Sequence, residues 1–200
     1  MKKVRLEPEE IRQAIMKAAV DVANTSGWHA VTVRRVADEI GYAAPIIYQY
    51  FSSKKAMLRA IAEKGYEQLG DEIRRAAEAA EIDSAKRFRA IGIAYYTFAK
   101  QNFPIYQLMH EPMLYSEADE PMVSADMLFE FMCQEMNNLA GQSLPAKEAI
   151  TRTFQAWSTM HGLIMIEANC SFKKGLLHPT DVIERFGEDL LHAIKTTKKA

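Results

Sequence analysis

Cysteine is scarce in this chain: Cys133 and Cys170 are the only two in 200 residues. They lie far apart without CxxC spacing, which argues against a disulfide framework or a zinc ribbon and leaves two ordinary buried thiols as the expectation. Long apolar runs are missing too. No window approaches the roughly 18 uninterrupted apolar residues of a membrane span, and the opening MKKVRLEPEEIRQ has no apolar stretch behind its Lys and Arg. Neither a membrane span nor a signal peptide is therefore expected, and the cytoplasm is the expected location. Nothing alternates with period two for long, so no sheet is expected. HEPML lacks the second His of HExxH, and there is no P-loop, GxGxxG or GxSxG. His110, His161 and Cys133 could approach one another as a Cys/His site, yet no spacing demands it. The reading is of a protein that is not an enzyme, with no catalytic residue, metal site or cofactor.

What is present describes a globular chain able to bury a core, 48% apolar and 26% charged with nine Gly and seven Pro. Its net charge of −1 hides an asymmetry. The first sixty residues carry ten Lys and Arg against six acids, +4, which leaves −5 for the remainder. A basic head on an acidic body suits a head that meets a polyanion and a body that does not.

Helix signals recur along the chain. Ile11, Ile15, Ala18 and Val22 keep helical spacing and Gly27 supplies a stop, which predicts a first helix near 8–26. Thr32 stands where an N-cap belongs, ahead of Val33, Val36, Ala37 and Ile40. Gly41 ends that short helix by taking a positive φ. Pro45 has no N–H to leave unpaired and so fits the first turn of a third. Ser52 and Ser53 cap a longer one carrying Leu58, Ile61, Gly65, Leu69 and Ile73 to about residue 80. Two short helices joined by a Gly turn form a helix-turn-helix, whose second helix is held out to enter a DNA major groove. Arg34 and Arg35 begin the supporting helix, Tyr48 and Tyr50 lie on the presented one, and Lys54 and Lys55 stand at the next N-terminus, where phosphate is favoured.

The span from about Ile11 to Leu58 resembles the N-terminal domain of the tetracycline-repressor (TetR) family of bacterial regulators. Gly27, Thr32, Ala37, Gly41, Tyr48, Phe51, Lys54 and Leu58 fall at that family's spacing. The resemblance implies an all-α chain of about nine helices. It comprises a three-helix DNA-binding domain over residues 1–55 and a larger helical ligand-binding and dimerisation domain over 56–200. It further implies a homodimer on a palindromic double-stranded DNA operator, repression as the usual mode, and a small-molecule effector. A departure stands at the turn, where Ala43, Ala44, Pro45 and Ile46 replace the family's more polar residues. Gln49 alone could make a bidentate pair with adenine, while Ala44, Pro45 and Ile46 offer apolar contact to thymine methyls. Ile47 and Phe51 are read as packing, and Tyr42 fits either phosphate contact or packing. The expected DNA-contacting set is Thr32, Arg34, Arg35, Tyr42, Ala44, Pro45, Ile46, Tyr48, Gln49, Tyr50 and Lys54. A helical interaction module that has lost specific DNA binding is the alternative.

In the body, Asp83 and Ser84 cap a helix with Phe88, Ile91, Tyr95 and Phe98. Pro104 starts a shorter one that Pro112 bends or closes, and another follows from about Met122 to Leu139. A long helix sets Ile150, Phe154, Trp157, His161, Ile164 and Ala168 on one stripe and Thr153, Ala156, Met160, Leu163 and Cys170 on another. Both faces are apolar, so it must be buried on both. HPTD starts the last helix, with Ile183, Phe186, Leu190 and Ile194 in register. Trp157, His161 and Gly162 resemble a Trp-His-Gly signature of one branch of the family, with Gly162 allowing close helix approach. The last two helices are the expected dimer surface. Aromatics and Met crowd the middle segment more densely than a core requires, which suits an adaptable apolar pocket. Its expected lining is Phe88, Tyr95, Phe98, Tyr106, Met109, His110, Met113, Phe131, Met132, Phe154, Trp157 and His161, with polar contacts drawn from His110, Glu111, Glu135, Gln155, His161 and Asn169. The effector expected there is small and apolar or aromatic. The helix starting near Ser53 is the expected lever between pocket and recognition helix.

Overall fold

A computed structural model describes residues 7–80, 83–116, 120–169 and 178–197, with side chains to residue 194; Cys170 lies outside them. Every regular element among the described residues is a helix: α1 Pro8–Ser26, α2 Val33–Glu39, α3 Pro45–Tyr50, α4 Lys54–Ala79, α5 Ser84–Gln101, α6 Phe103–Met109, α7 Val123–Ala140, α8 Ala146–Asn169 and α9 Pro179–Thr197. Single 3-10 turns stand at Trp28–Ala30 and Pro112–Leu114. Contacts divide the chain into two compact units, Met1–Gly65 with Asn102–Pro121, and Tyr66–Gln101 with Met122–Ala200.

Local chemistry sets the helix ends of the first unit. Glu7 and Glu10 form a capping box, the Glu7 N–H donating to Glu10 Oε2 at 2.8 Å, and Pro8 opens α1. Thr32 Oγ1 accepts from the Arg35 N–H at 3.2 Å at the start of α2. Gly41, with φ of 72°, closes that helix: its N–H donates to the Asp38 carbonyl at 3.1 Å and the Tyr42 N–H to Ala37 at 2.9 Å. This paired arrangement is a Schellman motif, which needs a residue tolerant of positive φ. Ser53 Oγ accepts from the Ala56 N–H at 3.0 Å and so caps α4.

By contacts the first unit runs on to Gly65, within α4, past the 1–55 span expected for the DNA-binding domain. The first unit also takes in α6. The Trp28 indole N–H donates to the Pro104 carbonyl at 2.7 Å, and a Cβ on Gly65 would lie 2.7 Å from Ile105 Cγ2 and 2.8 Å from Met109 Sδ. A glycine on α4 thus lets α6 seat closely, and that contact is invisible to local sequence signals.

The second unit packs α5, α7, α8, α9 and the later part of α4. Phe88, Met136, Leu139, Ala140, Ala156, Leu190 and Ile194 form a buried cluster within it. An ion pair with a buried carboxylate ties α5 to α7. Arg87 grips Glu135, 4% exposed, with Nε to Oε2 at 2.7 Å and Nη2 to Oε1 at 2.9 Å. The Asn138 amide donates to the same carboxylate at 3.1 Å, and Arg87 also donates to the Ala77 carbonyl. This hydrogen bonding to Glu135 holds the Arg87 guanidinium above its ordinary pKa despite its desolvation.

Candidate nucleic-acid interface and apolar cavity

The presented helix, α3, is six residues long and buries one of them. Ile47 is fully buried, Phe51 just beyond the helix is 5% exposed, and the Arg12 guanidinium lies 5.2 Å from the Phe51 ring centroid. These two apolar anchors set the angle of the helix. Pro45, Tyr48 and Gln49 face outward, Tyr48 at 59% exposure, and Ala44, Ile46 and Tyr50 are partly exposed beside them. Tyr42 is likewise half-buried at the turn.

Around this surface stand the cations. Arg34 and Arg35 are exposed on α2, and Lys54 and Lys55 are half-buried in the first turn of α4. The Arg35 guanidinium donates to Ser26 Oγ at 3.0 Å, which steadies it, while Arg34 lies 3.9 Å from Asp38 in a loose exposed pair worth little. The Thr32 hydroxyl caps α2 through its oxygen lone pair, so its proton stays able to donate to a phosphate.

The second unit holds an apolar cavity of about 100 Å³. Five helices wall it: α4 with Tyr66, Leu69 and Ile73; α5 with Phe88, Ile91, Gly92 and Tyr95; α7 with Ala125, Leu128, Phe129 and Met132; α8 with Thr153, Ala156, Trp157 and Met160; and α9 with Ile183 and Phe186. Phe88, Tyr95, Met132 and Trp157 belong to the lining expected from sequence. Phe154 stands just outside it, 49% exposed, its ring 5.1 Å from Phe129 and 5.8 Å from Trp157 between centroids.

The other expected residues lie elsewhere. Tyr106 and Met109 are fully buried in the first unit, where α6 packs, and His110 and Met113 follow in that unit, with Met113 58% exposed. Phe98 is buried in the second unit without lining the cavity, and Phe131 is only partly buried on α7. His161 is also partly buried away from the lining, and desolvation pushes its imidazole below its ordinary pKa. None of the six polar candidates lines the cavity: Glu135 is committed to Arg87, and the Asn169 amide donates to the Met165 carbonyl at 2.8 Å. Sequence reasoning missed the α4 and α9 walls. Leu69 and Ile73 form a clear helical stripe, but a stripe reads the same whether it faces packed atoms or a void.

Burial on α8 also differs from expectation. Ala149, Thr153, Ala156, Met160 and Ile164 face inward, whereas Ile150, Phe154 and Trp157 are 44%, 49% and 36% exposed. Ile164 falls on the inner stripe because the 3.6-residue period rotates it there. Beyond its chain neighbours and its own helix backbone, no described atom lies within 4 Å of a Cβ built on Gly162. No described helix is long and apolar enough to cross a membrane.

Comparison with known proteins agrees with this architecture. Residues 15–61 match the model of bacterial regulatory proteins of the tetR family, and residues 88–194 match the tetracyclin repressor-like C-terminal domain. The chain is 30% identical over 123 residues to an HTH-type transcriptional activator, FasR, of Mycolicibacterium smegmatis, covering 62% of this chain and 54% of that protein. It is 36% identical over 52 residues to the tetracycline repressor protein class C of Escherichia coli, covering 26% of this chain and 24% of the repressor. The chain thus spans about half the length, or less, of these curated relatives. In fold it is similar to a structure of a protein with unknown function from Rhodococcus sp. RHA1, with a TM-score of 0.81, 21% identity, and coverage of 96% of this chain and 98% of that one. With a helix-turn-helix head matching one family model and more than half of its length matching the C-terminal one, the chain belongs to the TetR family of bacterial transcriptional regulators.

Proposed function

We propose that the protein is a cytoplasmic, non-catalytic regulator that binds a palindromic DNA operator as a homodimer and releases it when a small apolar effector occupies the cavity. The observation that carries this reading is α3, whose Ile47 is buried while Pro45, Tyr48 and Gln49 stand outward, with Arg34 and Arg35 exposed on α2 before it and Lys54 at the start of α4 after it. A short helix so presented suits the major groove, and the flanking Arg34, Arg35 and Lys54 suit backbone phosphate. Gln49 reads adenine, Ala44, Pro45 and Ile46 meet thymine methyls, and Thr32, Tyr42, Tyr48 and Tyr50 complete the contact set.

The open apolar face of α8, with Ile150, Phe154 and Trp157, supports dimerisation through α8 and α9. Gly162 would then admit the partner's helix closely. Repression is the reading adopted, since a dimer on a promoter blocks polymerase. α4 is the lever, because one continuous helix begins beside α3 and carries Tyr66, Leu69 and Ile73 of the cavity wall.

A gel shift with the DNA upstream of the protein's own gene tests the proposal. A saturable shift that survives excess unrelated DNA is expected, with a dimer in sedimentation. Equal binding to all DNA, or none, would favour the module that has lost specific binding, with Ala43 to Ile46 as the cause.

A further inference from the structure

Thr153 is the most buried polar side chain of the cavity lining, at 3% exposure. Its hydroxyl carries one proton, and the Ala149 carbonyl lies 2.9 Å away, against 3.4 Å for Cys133 Sγ. The carbonyl is the better acceptor, so the proton is committed to the backbone four residues earlier, as helical threonines commonly arrange. An oxygen lone pair is what Thr153 retains for a guest. Thr153 therefore accepts and does not donate.

Ionic partners for a guest are committed elsewhere. Arg87 and Glu135 hold each other through two hydrogen bonds, and Glu167 is held by Lys100 and by the Tyr96 hydroxyl, each at 2.7 Å. None of these five residues lines the cavity, and the described lining contains no charged side chain. A carboxylate or ammonium buried there would lose its hydration without a counter-charge, which is strongly disfavoured. Size narrows the guest further. At about 100 Å³ the space is of the same order as an engineered apolar cavity of roughly 150 Å³ that takes benzene.

We propose that the cavity takes a neutral, slim, apolar molecule bearing a hydroxyl, a phenol or a primary alcohol, whose O–H donates to Thr153 Oγ1 while its hydrocarbon part lies against Phe129, Met132 and Trp157. This rests on the reading of the cavity as the effector site. It adds the ligand's charge state and the polarity of its hydrogen bond to Thr153.

Isothermal titration calorimetry of the full chain with 4-propylphenol, propylbenzene and 4-propylbenzoate tests it. The phenol is expected to bind about five- to tenfold more tightly than the hydrocarbon, the range of one net hydrogen bond. The benzoate should bind more than about a hundredfold more weakly than the phenol, for want of a counter-charge. Thr153→Val should reduce the phenol to the hydrocarbon's affinity and leave the hydrocarbon unchanged, while Thr153→Ser should preserve the preference. Should Thr153→Val fail to fold, the three affinities of the unaltered chain still decide. Equal affinity for phenol and hydrocarbon, or tightest binding of the benzoate, overturns the proposal and leaves the effector site standing. No binding of any probe overturns both.

Discussion

The recognition helix and the cavity are built on opposite plans. In α3 one buried residue, Ile47, and its neighbour Phe51 anchor a six-residue helix whose Pro45, Tyr48 and Gln49 face outward. In the cavity five helices each contribute an apolar wall, so a guest would touch all of them at once. The first plan concentrates structural dependence in two side chains; the second spreads it over many. Single substitutions should therefore act all-or-none on the head and by degrees on the body.

The largest effect should come from Ile47→Asp. A carboxylate placed at a fully buried position without a partner costs more than about 4 kcal/mol or forces local unfolding. DNA binding should vanish in a gel shift while 4-propylphenol still binds. Loss of both would show that head and body are not separable in this way.

Next comes Glu135→Ala in the body, which removes the two-pronged partner of the half-buried Arg87 guanidinium and should destabilise by ~1–3 kcal/mol in denaturant unfolding. Replacing the pair together, Arg87→Met with Glu135→Leu, should recover most of that stability, because the penalty lies in the unpaired charge. A double variant as unstable as the single one would mean that the pair itself holds α5 to α7.

How far each region could be read from sequence follows the same contrast. Gly27, Thr32, Gly41, Pro45 and Ser53 act on backbone groups within a few residues, so these helix ends of the head were legible one by one. The place of α6 was not, because it depends on Gly65 leaving room for Ile105 and Met109 and on Trp28 reaching Pro104. Composition pointed to an apolar pocket in the middle segment, and Phe88, Tyr95, Met132 and Trp157 do line a cavity. Its actual boundary could not be read, since a cavity is what neighbouring helices fail to fill. The outer face of α8 was legible as apolar; its exposure in a single chain was not.

Smaller effects sharpen the account of α3. Gln49→Ala should cost ~1–3 kcal/mol on the operator and relax preference mainly at one position in each half-site, read by selection from randomised DNA. Uniform weakening at every position would make Gln49 a phosphate contact or a structural residue. Lys54→Ala should change affinity for all sequences alike and lower the slope of log affinity against log salt by about one for each phosphate that Lys54 neutralises. An unchanged slope removes Lys54 from the interface.

The central claim is that occupancy of the cavity and binding of DNA are linked, and reciprocity tests it most directly. Affinity of the chain for 4-propylphenol should be measured with and without saturating operator DNA, and affinity for the operator with and without the phenol. A ligand can shift the heads only if it binds one state better than the other, and typical coupling of ~1–3 kcal/mol corresponds to a change of about 5- to 150-fold. The account predicts that DNA weakens phenol binding by the same factor by which phenol weakens DNA binding; a phenol affinity indifferent to operator would contradict it.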